Sequence, residues 1–192
     1  NLQRIGATYP VEWLPDNLVI ADLPGVEGHF EEEGYQRAFD LTQLSRMWMT
    51  RADAVLFVFG KDQIRLENSY RFIWDFETTK RPMALFISHM DDLDLLEIEA
   101  DSPQSGREMF REENLMGFLQ DNGIESLTAE NVFLGASRFS GDRWGWDDSA
   151  RELQRLAMED SLNLGAWLVG LFESAQEAGF RSQRQFLSDQ AI

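Results

Sequence analysis

Apolar positions along the chain fall into short continuous runs that alternate with helical stripes. Thr8–Trp13 and then Leu18–Ala21 read as strands, the second closed by Asp22 and the turn formers Pro24 and Gly25. From Gly34 to Arg51 the residues Tyr35, Phe39, Leu44, Met47 and Trp48 recur at helical steps and predict a helix with one face on a core. Ala54–Phe59 is continuous, β-branched and aromatic, the pattern of a parallel strand covered on both faces, and Gly60 ends it. Leu66, Tyr70, Ile73 and Trp74 fall at i, i+4, i+7 and i+8 and predict a second core-facing helix. Met83–Ile87 gives a further buried strand after Pro82.

The second half continues the alternation. Ser105–Asn122 reads as a helix closed by Gly123, and Val132–Leu134 as a short strand ending at Gly135 and Ala136. A last helix begins near Asp147 or Asp148 and runs to about Ala178, with a break expected around Asn163–Gly165. Strands alternating with helices predict an α/β fold: a doubly wound, mainly parallel sheet with helices on both faces. No internal repeat or linker divides the sequence, so residues 1–192 read as a single domain.

Charge narrows the function classes. Lys and Arg together number 17 against 34 Asp and Glu, a net charge of −17, which repels phosphate backbones and argues against nucleic acid as a partner. Cys is absent, which excludes disulfides, thiolate metal sites and Cys nucleophiles. His29 and His89 are the only histidines, too few for a His-rich zinc site. The run Leu164–Phe172 is too short to span a bilayer, and no leader follows Asn1, so the start reads as trimmed and the chain as an excerpt.

In sheets of this kind ligands sit beyond the carboxyl ends of the strands, which points to three loops. They are Asp22-Leu23-Pro24-Gly25, Ser88-His89-Met90-Asp91 and Gly135-Ala136-Ser137. An Asp at a strand tip can hold a Mg²⁺ water, and a Gly three residues on lets a backbone N–H approach a phosphate. A carboxylate such as Asp91 can accept two hydrogen bonds from the edge of guanine, while the N–H of Ala136 bonds the base oxygen. Each loop also has a plainer reading: a strand-end turn at Asp22 and Gly25, a solvated acidic turn at Asp91, a surface histidine at His89.

These loops resemble those of the P-loop GTPases, and among them the dynamin-like large GTPases. Asp22 to Gly25 is similar to the Asp-x-x-Gly switch motif, Ser88 to Asp91 to the Asn/Thr-Lys-x-Asp guanine motif, and Gly135-Ala136 to the Ser-Ala motif. The strand ADAVLFVF lies in sequence where the family has a strand between the first two. The resemblance implies GTP and GDP as ligands with Mg²⁺, Asp22 and Gly25 in the catalytic role with Asp22 holding the Mg²⁺ water, and Ser88, His89, Asp91, Ala136 and Ser137 around the nucleotide. It further implies GTP hydrolysis in membrane remodelling or a related self-assembly process, a homodimer across the nucleotide face, membrane contact only through regions outside this chain, and a cytoplasmic location.

Departures from the pattern accompany the matches. His89 stands where the family has Lys, Ser88 where it has Asn or Thr, and Val26 where Ras-like members carry a water-orienting Gln. No G-x-x-x-x-G-K-[ST] occurs; Gly60-Lys61 is followed by Asp62 and has Val55 at the first glycine position. In the family the strand feeding the P-loop lies between the strand ending at Asp22 and the one ending at Phe59. The resemblance therefore implies a central strand supplied upstream of Asn1 or by another chain, so that this segment alone is not an active GTPase. A nonenzymatic GTPase-like scaffold is the alternative, and a flavodoxin- or receiver-like domain fits the order of elements less well. Trp48 and Trp74 are expected in the core, whereas Trp144-Gly145-Trp146 in a polar loop reads as a partner contact.

Overall fold

The computed structural model describes residues 20–23, 45–63, 67–93, 99–136 and 148–177. Three parallel strands, β1 (Val55–Gly60), β2 (Met83–Ser88) and β3 (Val132–Leu134), stand side by side in the order β1-β2-β3. Val55 aligns with Met83 and Gly60 with Ser88, while Leu85 aligns with Val132. All of β2 is buried, as its central place and unbroken apolar run require.

A helical turn at 45–49 precedes β1, and α1 (Glu67–Glu77) joins β1 to β2. After β2 a 3₁₀ turn (Met90–Asp92) leads on towards α2 (Pro103–Met109). That helix passes through a π-helical stretch (Phe110–Met116) into α3 (Gly117–Asp121), and α4 (Asp148–Glu177) follows β3. Ser102 starts α2: its hydroxyl accepts from the Ser105 N–H, and Ser105 returns a bond to the Ser102 N–H, with Pro103 at the first helical position. Gly123, at φ +75°, ends α3 in the left-handed region that glycine occupies without strain.

One face of the sheet carries the main core. Phe57, Leu85 and Ile87 pack against Phe72, Ile73 and Phe76 of α1 and against Leu115 and Leu119 from the π-helical stretch and α3. Phe57 meets Phe76 edge to face at 6.3 Å. Burial of each such side chain contributes about 1.5–3 kcal/mol. The second face holds a smaller cluster, Ala84, Phe86 and Phe133, with Leu164 and Trp167 of α4 against it. Because Leu153 belongs to the first cluster and Leu164 to the second, α4 passes over the outer edge of β3 from one face to the other.

Several expectations change. Ile20 is 65% exposed and Ile20–Leu23 forms no strand, so the described end of Leu18–Ala21 is not a buried strand; an apolar run supplies a demand for burial, but a strand needs a hydrogen-bonded neighbour. Trp74 is 50% exposed, because α1 turns the stripe Ser69, Phe72, Ile73 and Phe76 inward and shares only Ile73 with the predicted one. In the turn at 45–49 the buried position is Met49, not Met47, and Trp48 is half-buried. Helix α4 runs unbroken through Asn163–Gly165: one exposed glycine costs about 1 kcal/mol, which the packed inner face of a long helix outweighs. The sheet is α/β and parallel; a doubly wound arrangement requires a reversal of strand order, and the three described strands run in one direction only.

The two sheet edges differ. In the parallel ladder Val55 donates to Pro82, so alternate residues Leu56 and Val58 present their N–H and C=O away from β2, with no further strand beside them among the described residues. Val58 is 57% exposed. On the far edge Leu134 is closed by side chains: its N–H donates to Asp160 Oδ2 at 2.9 Å and its C=O accepts from Arg107 Nη2 at 2.7 Å.

Candidate functional site at the carboxyl ends of the strands

Parallel strands deliver their carboxyl ends to one rim, and here the rim is tied together by backbone bonds. The Gly135 N–H donates to Ile87 C=O at 2.9 Å, and the Met90 N–H returns to Gly135 C=O at 3.1 Å. The loop after β2 and the loop after β3 therefore meet, which brings Ser88, His89 and Asp91 beside Gly135 and Ala136. Met90 is fully buried beneath them.

Each residue in that rim has a distinct environment. Ser88 is buried, and its hydroxyl donates to Phe59 C=O at 3.1 Å, crossing from β2 to β1. His89 is exposed and sits at φ 66°, ψ 28°, a left-handed conformation that is unusual for a non-glycine residue. It is the residue on which the chain reverses into the 3₁₀ turn. Asp91 lies in that turn, half-buried. Ala136 is buried. At Gly135 a Cβ would stand 2.3 Å from the Phe86 ring and 2.7 Å from Ser161 Oγ, so the close approach of β2 and α4 requires glycine there.

Asp22 is exposed on the segment Ile20–Leu23, which is not part of the sheet. Gly25, Ser137, Trp144 and Trp146 lie outside the described residues. Thus the structure joins the second and third loops of the sequence reading and does not join the first to them. Among the described residues no cluster of three or more His, Asp or Glu side chains could hold a metal ion, and no helix is long and apolar enough to cross a membrane.

Beside this rim stands a charged cluster that the sequence reading missed. Asp160 Oδ2 accepts from Arg107 Nη2 and Arg111 Nη2, both at 2.9 Å, in addition to the Leu134 N–H. Arg107 also donates to Leu134 C=O, so the pair stands in for a neighbouring strand at the β3 edge. Burial pulls the Arg107 guanidinium below the ordinary arginine value; Asp160 opposes this and nearby Arg111 adds to it. Arg107 Nη1 and Arg111 Nε are buried without a partner. A signal existed in the sequence: Asp160 lies on the inward stripe of α4 with Leu153, Leu156, Ala157, Leu164 and Trp167, and a carboxylate on such a stripe needs buried donors.

Comparison with models of protein families, with curated proteins and with solved structures finds no match to this chain.

Proposed function

We propose that the chain is the part of a dynamin-like GTPase domain that follows the P-loop, with guanine held where the loops after β2 and β3 meet. The observation that carries this reading is the Met90 to Gly135 hydrogen bond, which places Asp91 and Ala136 on one rim in the order that the family resemblance implies. Asp91 accepts from the guanine edge, Ala136 contacts the base, and His89, held in its left-handed turn, flanks the purine. The open edge of β1 takes the strand that feeds the P-loop, supplied by chain beyond residues 1–192, and completes a doubly wound sheet. Asp22 and Gly25 then serve the phosphate end, Asp22 through a Mg²⁺-bound water. Bound Mg²⁺ would neutralise the charge that develops on the transferred phosphoryl group.

A nonenzymatic scaffold with the same sheet is the second reading. The Ser88 hydroxyl favours it, because its bond to Phe59 C=O serves the sheet and not a ligand. One titration separates the two. The full-length gene product should bind GTP in preference to ATP, and Asp91→Ala should weaken GTP by about 10- to 100-fold through loss of two hydrogen bonds to a charged acceptor. Equal affinity for both nucleotides, or unchanged GTP affinity in Asp91→Ala, removes guanine recognition from this rim.

A further inference from the structure

Helix α4 has two apolar faces, and only one of them is used inside the chain. Leu153, Leu156, Ala157, Leu164 and Trp167 turn inward onto the sheet and its edge. The opposite face carries Met158 at 44% exposure, Leu162 at 74% and Val169 at 54%, with Gly165 and Ala166 between them. Met158, Leu162, Gly165, Val169 and half-buried Phe172 follow one another at steps of four, three, four and three residues. That is the alternation of a coiled-coil seam, and it lies on the solvent side. Over this stretch the seam is about 21 Å long at 1.5 Å per residue.

Two further observations indicate what covers it. A Cβ at Gly165 or Gly170 would meet nothing within 4 Å, so no packing inside the chain asks for glycine at either place. Each nonetheless costs about 1 kcal/mol relative to alanine in a helix interior. A glycine at the centre of an apolar seam allows a second backbone to approach closely. The flanks then set direction: the exposed face carries Arg151 and Arg155 on the amino-terminal side and Glu173 on the carboxyl-terminal side. Two parallel copies would stack arginine on arginine and glutamate on glutamate. Two antiparallel copies related by an axis beside Gly165 oppose Leu162 to Val169 and Met158 to Phe172, and bring Arg155 of one copy within a turn of Glu173 of the other.

We infer that the outer face of α4 is a self-association surface on which two copies of this chain pair as an antiparallel helix seam. The seam does not depend on nucleotide recognition, and it lies on the solvent side of α4, away from the face that closes the β3 edge. A contact of this length belongs to the small, reversible end of protein interfaces, so the pairing is concentration-dependent.

Sedimentation of the chain from about 5 to 300 µM tests it, the range in which small interfaces exchange. The weight-average mass should climb from the 22.1 kDa of the monomer towards twice that value. Leu162→Glu should stay at the monomer mass with an unchanged circular-dichroism spectrum, since the residue is exposed. The absence of native cysteine makes orientation readable. Leu162→Cys combined with Val169→Cys should form an intermolecular disulfide under mild oxidation, whereas Leu162→Cys alone should form it at least 10-fold more slowly, because its counterpart in the second copy lies about 10 Å further along the helix. A monomer at every concentration, a Leu162→Glu variant that still dimerises, or equally fast crosslinking by the single-cysteine variant overturns the proposal.

Discussion

Replacing Asp160 by alanine tests how the sheet ends at β3. The carboxylate accepts from the Leu134 N–H and from both Arg107 and Arg111 at 2.9 Å, and Arg107 has only 7% of its side chain exposed. Its removal strands a buried guanidinium whose Nη1 already has no partner, beside an N–H that loses its only printed acceptor. Breaking a buried pair by deleting one member costs about 3–5 kcal/mol, which is a large share of the 5–15 kcal/mol that stabilises an ordinary domain. With a urea dependence of about 2–3 kcal/mol per M, the unfolding midpoint should fall by about 1.5 M. Asp160→Asn keeps the shape and an acceptor for Leu134 but loses the charge, so its midpoint should lie between the two. A shift below about 0.5 M for Asp160→Ala would refute the role given to this carboxylate.

Other residues offer independent checks. Gly135→Ala should destabilise by about 1–3 kcal/mol in urea unfolding, since its Cβ collides with the Phe86 ring and Ser161; an unchanged midpoint would mean that the strand and helix part without cost. Ser102→Ala removes the reciprocal cap of α2 and should cost about 1 kcal/mol by the same measurement. At Glu77 burial opposes the charged form, but hydrogen bonds from Lys80 and from the hydroxyl and N–H of Ser126 outweigh it and hold the carboxyl below the ordinary glutamate range. The stabilisation is thus fully present above that range and lost as pH falls through it, because the unfolded chain takes up the proton first. The stability difference between the native chain and Glu77→Gln should shrink between about pH 5 and pH 3, and a constant difference would contradict this sign.

Strands that depend on short-range pattern were legible from the sequence. Ala54–Phe59, Met83–Ile87 and Val132–Leu134 fall within a residue of the observed β1, β2 and β3, because a parallel strand buried on both faces leaves an unbroken apolar run between turn residues. The close of α3 at Gly123 was equally readable, as a positive φ leaves few alternatives. What depended on neighbours was not. Leu18–Ala21 has the apolar pattern of a strand, yet Ile20 is exposed, since pattern does not say which edge receives it. Trp74 and Phe76 are both large and apolar, and only the packing of α1 on Phe57 decides which turns inward. The Arg107–Asp160 closure joins residues far apart in sequence and leaves only one local trace, the carboxylate on an inward helix stripe. At the rim the order of loops foretold the meeting of Ser88–Asp91 with Gly135–Ala136, while the engagement of the Ser88 hydroxyl by Phe59 needed the register of β1 and β2.

Amide hydrogen exchange of the full-length gene product with and without GTP addresses guanine recognition at its proposed location. Slower exchange confined to residues 88–92 and 135–136 on adding GTP, and absent with ATP, is the expected result, because those amides line the rim tied by the Met90–Gly135 bond. Unaltered exchange at those amides with GTP in excess, or an equal response to ATP, would contradict it.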